Sequence, residues 1–248
     1  MAETAAGQGE GLGRLVVVNW APDALGLVRA LQELGAESLT LLGTDAPEAV
    51  EAALAGPRSR CAVRYMAASG GDGVESFAEQ LAGAVEVATA RAIIVLPQRG
   101  RGETDAFSRL ACTAIHRACA GHPPRILVAV EDPEATHEFA GLGVSTIFYP
   151  GFLRAALLAH GCLDLAVFRF MLALLQGGLR VQTWPVPAEL QGKCFRDACL
   201  AVETDPAGNT VTVLGLCLTG EPGMLVNPGP AQPLSAAAGL LVLTGQGI

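Results

Sequence analysis

Two patterns of hydrophobic positions alternate along the first 150 residues. Short runs of aliphatic and β-branched residues at 15–18, 38–42, 61–66, 92–96, 125–130 and 145–148 predict six strands. Between them apolar residues recur every three or four positions, as in Ala24, Leu27, Val28 and Leu31, and again in Phe107, Leu110, Ala111, Ala114 and Ala118. Runs that are apolar throughout, separated by helical periodicity, predict a parallel sheet covered on both faces. Punctuation agrees with this. Gly35 stops the first helix, Asp45, Pro47 and Glu48 open the second, and Gly56-Pro57 ends it. A helical stretch at 74–82 precedes the fourth strand. Asp132-Pro133 opens a short helix that Gly141 and Gly143 close. The expected fold class is therefore α/β: a Rossmann-like doubly wound parallel sheet, with its crevice at the carboxyl ends of strands one and four.

The pattern changes after residue 150. Positions 152–175 are apolar enough and long enough to span a bilayer, but they carry Arg154, His160, Asp164 and Arg169. Two helices broken near Gly161 are expected instead, with apolar faces wide enough to cover a neighbouring lobe or subunit. Beyond residue 178, short strands at 179–186, 200–203, 210–218 and 239–244 are separated by Gly and Pro, with a turn at Pro206-Ala-Gly-Asn. These form a small α+β lobe of roughly 70 residues, whose size favours packing on a copy of itself. The chain is thus read as a leader (1–13), a Rossmann-like lobe (14–150), linking helices (151–177) and a C-terminal lobe (178–248).

Composition narrows the function. With 248 residues, 51% hydrophobic and 16% charged, the chain can bury real cores. A net charge of -8, from 24 acidic and 16 basic residues, leaves no basic patch for nucleic acid. The seven cysteines form no CxxC pair and the four histidines no HxxxH, so no metal site or disulfide framework is signalled and a reducing cytosol is expected. The first 13 residues lack the basic start and apolar core of a signal peptide. No GxSxG and no Ser-His-Asp or Cys-His context is present, and His116, four residues after Cys112, reads as a helix-surface histidine. The chain is expected not to be an enzyme.

Candidate chemistry gathers at the predicted crevice. A dinucleotide fold places GxGxxG in the first strand-to-helix turn so that the backbone can approach a pyrophosphate. Here the turn reads Asn19-Trp-Ala-Pro-Asp-Ala, without glycine. Pro22 removes an amide donor, Asp23 brings negative charge to the docking point, and Asn19 can still adopt a left-handed turn. Ordinary NAD binding is not expected, and the cofactor stays unknown, with a nucleotide or a divalent cation as open classes. Trp20 is either a packing residue of the crevice wall or a ligand contact. Asp45 stands near the position of a ribose-binding acid and equally fits a helix cap with Pro47 and Glu48. Arg99 and Arg101 lie in a loop, Gln98-Arg-Gly-Arg-Gly-Glu, over the crevice, where guanidinium groups could close on an anion. Glu131 and Asp132 end strand five. The candidate ligand-binding residues are Asn19, Trp20, Asp23, Asp45, Arg99, Arg101 and Glu131.

Several phrases, in order across both lobes, resemble the regulator of potassium conductance (RCK) domain, also called TrkA-N plus TrkA-C. In the first lobe they are Leu15-Val-Val-Val-Asn-Trp-Ala-Pro-Asp, Ala90-Arg-Ala-Ile-Ile-Val-Leu ahead of Glu103-Thr-Asp, and Arg125-Ile-Leu-Val-Ala-Val-Glu-Asp-Pro-Glu followed by Gly141-Leu-Gly-Val and Tyr149-Pro. In the second they are Val186-Pro-Ala-Glu-Leu-Gln-Gly-Lys-Cys-Phe-Arg-Asp, Asn227-Pro and Ala238-Gly-Leu-Leu-Val-Leu-Thr-Gly. The resemblance spans roughly 13–245. It implies a cytosolic gating domain that forms homo-oligomers, a dimer or larger ring, with linking helices exchanged between partners and ligand binding transmitted to a membrane pore. It leaves as alternatives a nucleotide-binding soluble subunit of a potassium uptake system and, from another class, an NAD-dependent oxidoreductase. Acids around strand five bind a divalent cation in some channel members. In this chain Ala129 and Leu96-Pro-Gln stand where further acids would be needed, so the resemblance implies no calcium site.

Overall fold

A computed structural model describes residues 12–54, 61–68, 73–98, 104–205, 208–219 and 223–245. The chain divides into two compact units that meet between Arg154 and Ala155. The N-terminal unit holds the six expected strands: β1 (Gly13–Val18), β2 (Ala36–Gly43), β3 (Ala62–Ala67), β4 (Ala92–Val95), β5 (Arg125–Ala129) and β6 (Val144–Phe148). All pair in parallel in the order β3-β2-β1-β4-β5-β6. The order reverses direction beside β1, so β1 and β4 flank the switch point of a doubly wound sheet. The expected fold class is the observed one. The first strand begins at Gly13, inside the stretch read as leader; residues 1–11 lie outside the described residues.

Helices α1 (Leu25–Glu33), α2 (Pro47–Leu54), α3 (Gly73–Ala82) and α4 (Thr104–Ala118) accompany the sheet. Because the strands are apolar on both sides, they build two cores. Leu15, Val17, Leu39 and Leu41 face Val28, Leu31 and Val50 from α1 and α2. Val16, Val18, Ile93 and Val95 face Phe77, Leu81, Cys112 and Ile115 from α3 and α4. Each sealed aliphatic side chain contributes about 1.5–3 kcal/mol. Burial also pushes the Cys112 thiol up to about 12. The short helix expected after Asp132-Pro133 is a 3-10 segment, Pro133–Phe139, and the Asp132 carboxylate accepts the Glu134 amide at 2.9 Å to cap it.

Helices α5 (Pro150–Leu163) and α6 (Leu165–Leu175) correct the expected break. The chain turns at Asp164, three residues beyond Gly161, because its carboxylate accepts the amides of Ala166 (2.8 Å) and Val167 (3.2 Å). Gly161 instead admits the Phe168 ring, which would lie 3.2 Å from an added Cβ. Neither helix buries a residue, and Cys162 on α5 is exposed.

The remainder of the second unit is a four-stranded antiparallel sheet in the order β7-β10-β8-β9. Its strands are β7 (Leu179–Trp184), β8 (Val211–Leu218), β9 (Met224–Val226) and β10 (Ala237–Gly245). Helix α7 (Phe195–Ala201) packs Phe195 and Ala198 into a core with Leu216, Leu240 and Val242. It corrects the strand expected at 200–203. Cys194 and Asp197 form a reciprocal capping box, the Cys194 amide and thiol both donating to the Asp197 carboxylate at 3.0 and 3.1 Å. Those two bonds, the backbone one first, lower the Asp197 pKa.

Candidate functional site

A cleft of about 260 Å³ opens at the carboxyl ends of the parallel strands. Backbone bonds between strand exits define its floor: the Trp20 amide donates to the Leu42 carbonyl (2.8 Å) and the Leu96 amide to Val18 (3.0 Å). Gly43 permits the first of these, since a Cβ there would stand 2.2 Å from the Trp20 carbonyl oxygen. Asn19 follows β1 at φ 59, the left-handed conformation expected of it, and its side-chain amide donates to the Leu96 carbonyl at 3.0 Å. One asparagine thus shapes the turn and ties β1 to β4 across the switch point.

Past Asn19 the chain makes a 3-10 turn, Pro22–Ala24, before α1 begins at Leu25. The Ala24 amide donates to the Ala21 carbonyl at 2.9 Å and the Leu25 amide to Pro22. Trp20 is 1% exposed, packs edge-on against Tyr65 at 6.1 Å, and belongs to the core beneath α1 and α2. Among the described residues its indole N–H has no hydrogen-bond partner. The packing reading of Trp20 describes this position, though the residue also lines the cleft.

Acids mark both flanks. Asp23 lies in the 3-10 turn and Asp45 just past β2, and both line the cleft. The N-cap position of α2 falls to Ala46, whose carbonyl accepts the Ala49 and Val50 amides at 3.0 and 3.2 Å, so Asp45 sits one residue outside it. The Asp45 carbonyl accepts the Tyr65 hydroxyl at 2.8 Å. Burial, and secondarily the Asp45 charge, raise the Tyr65 pKa. On the far flank Glu131 lines the cleft after β5. The Glu131 and Asp132 amides donate to the Asp105 carboxylate at 3.0 and 2.8 Å, which fastens the first turn of α4 to the exit of β5. Five of the seven candidate residues, Asn19, Trp20, Asp23, Asp45 and Glu131, therefore share one cleft. Arg99 and Arg101 lie outside the described residues. Among the described residues no cluster of three or more metal-binding side chains occurs.

No protein-family model and no curated protein matches the sequence. Solved structures do. The crystal structure of the GsuK RCK domain aligns over 96% of this chain and 45% of its own, at 16% identity and a TM-score of 0.41. The chain is similar to the GsuK RCK domain. The GsuK channel bound to NAD aligns over 94% of this chain and 36% of its own (17% identity, TM-score 0.41), and GsuK bound to ADP over 56% and 32% (18%, 0.40). The chain thus spans less than half the length of these GsuK chains.

Two residues that line the crevice and one that braces it lie outside the seven candidates. Thr44 and Gln98 line the cleft beside Asn19, Thr44 directly after β2 and Gln98 three residues past β4, a position that at a switch point is itself the signal. Asp105 holds Glu131 in place from 26 residues away. As an acid in a first helical turn it reads in sequence as a dipole partner and nothing more.

Proposed function

We propose that the chain is the regulatory domain of a potassium channel or transporter, cytosolic at the membrane face, which couples ligand occupancy of the Rossmann crevice and self-assembly to a pore on a partner chain or segment. The observation that carries this reading is the helix pair α5–α6. Phe152, Leu153, Leu158, Leu163, Leu165, Val167, Phe170 and Leu175 are all exposed, from 41% to 83%. Helices this apolar require cover, and a second copy of the same helices offers a matching surface. Among the described residues no helix is long and apolar enough to cross a membrane, so the pair is read as an assembly surface rather than a span.

The cleft supplies the sensing half. Asn19, Trp20, Asp23, Asp45 and Glu131 form its wall, and the residues that shape it come from the exits of β1, β2, β4 and β5. A ligand held there touches strands on both sides of the switch point and can bias their relative placement. On this reading the cleft binds and does not catalyse.

The test is the oligomeric size of the purified chain, by sedimentation, combined with thermal unfolding across nucleotides, nucleosides, amines and divalent cations. A ligand that binds the folded state alone raises the midpoint as RT ln(1 + [L]/Kd). A dimer or ring whose size or midpoint responds to a ligand supports the regulatory reading. A strict monomer that turns over a substrate with NADH sinks it in favour of an oxidoreductase.

A further inference from the structure

We propose that the crevice takes a compact ligand without phosphate groups, and that the turn from Asn19 to Ala24 is the element that turns phosphates away. The inference rests on the cleft being a ligand site. A pyrophosphate docks at a first strand-to-helix turn when amides there are unoccupied and the backbone can be approached closely. In this turn four of the positions offer no unoccupied amide. Trp20 gives its amide to Leu42, Pro22 has none, Ala24 gives its amide to Ala21, and Leu25 gives its amide to Pro22. The 3-10 turn also moves the start of α1 to Leu25, behind these committed donors. Asn19 reproduces the left-handed backbone a glycine would supply, but it adds a side chain at the point of closest approach and points its amide at Leu96.

Charge acts in the same direction. Asp23 and Asp45 line the cleft on the side of the turn and Glu131 on the other flank. Of the lining groups, Asp45 and Glu131 set a negative field that opposes each phosphate added to a ligand and favours an uncharged or cationic group, while Arg99 and Arg101 lie outside the described residues.

A second cavity of about 100 Å³ adjoins the crevice. Asn19, Thr44 and Gln98 line both spaces and form the polar edge between them. Leu42, Val74, Phe77 and Phe107 wall the inner space with apolar groups. Its volume suits a small ring or a branched alkyl group. The ligand class follows from the two halves: one apolar group of that size, hydrogen-bonding atoms beside Asn19, Thr44 and Gln98, and no anionic end facing the acids.

Calorimetric titration of the purified full chain tests this with probes that share a ring and differ in charge. Adenosine is set against ADP and NAD, and tyramine against 4-hydroxyphenylacetate. At least one phosphate-free probe is expected to bind, with its anionic counterpart at least tenfold weaker. Equal or tighter binding of ADP, NAD or the carboxylate overturns the proposal, as does the absence of binding by adenosine and tyramine at millimolar concentration. The variant N19G/P22G/D23A is expected to narrow the gap between ADP and adenosine by raising the affinity for ADP. If that variant does not fold, the exposed single change Asp23→Ala serves, with a smaller narrowing; an unchanged gap in a folded variant overturns the role of the turn. The affinity order is read on the chain alone. A chain that shows this order while its assembly ignores the ligand keeps the proposal and loses the regulatory reading.

Discussion

In the sheet, Val16, Val17, Ile93, Val95 and Ile126 are each 0% exposed. In helices α5 and α6, equally aliphatic, Leu163 is 83% exposed, Leu175 73% and Phe152 68%. The two regions show that hydrophobic sequence states a need for cover and not where the cover comes from. The sheet meets its need inside its own unit, because α1 and α2 cover one face and α3 and α4 the other. The helix pair has no comparable cover among the described residues, and its local order comes from the Asp164 cap and the Gly161–Phe168 contact.

The sharpest way to break this contrast is a pair of truncations. Ile93→Ala is expected to cost about 2–5 kcal/mol in urea unfolding, the range for a sealed core residue. Leu163→Ala, measured on dilute chain, is expected to stay within about 0.5 kcal/mol. Equal costs would mean that the helices are covered within one chain. A smaller effect sharpens the same point: Phe170→Glu is expected to weaken self-association roughly tenfold, or about 1.4 kcal/mol, by sedimentation, while leaving the unfolding midpoint of dilute chain in place. Next comes Asp164→Ala, expected to cost about 1 kcal/mol through loss of the α6 cap, seen as reduced helicity by circular dichroism.

The smallest effect lies in the C-terminal lobe. Asp197 is held below its usual pKa, so its ionised form stabilises the fold. That contribution is present above the ordinary aspartate value of about 3.9 and is lost as pH falls below it. Asp197→Asn is expected to flatten the acid-side decline of the thermal midpoint and leave the neutral region little changed beyond loss of the cap. An unchanged acid limb would show that the capping box does not couple to stability.

Much of the fold is legible in the sequence because its strands are short, apolar and bounded by Gly, Pro or Asp, and because parallel strands buried on both faces need no alternation to be found. The misreadings have local causes. Leu200-Ala-Val looks like a strand start, but it closes a helix whose N-cap is Cys194, a residue rarely read as a cap. Strand β9 has three residues, too few to show a period. Residue type puts the helix break near Gly161, whereas the Asp164 carboxylate, accepting the Ala166 and Val167 amides, sets it three residues later. At the crevice, the left-handed Asn19 follows from its identity and the missing glycines. Asp105 does not, because its partners are distant in sequence and its bonds are to backbone.

The cysteines carry a practical consequence. Cys112 is sealed, and its thiol, pushed up to about 12, will not react with a maleimide near neutral pH. Cys162 sits in the open on α5, amid the apolar side chains that await cover. The rate at which Cys162 is alkylated, resolved by peptide mapping from that of Cys199, which is exposed as well, therefore reads whether the helix pair is occupied, with Cys112 as the silent reference.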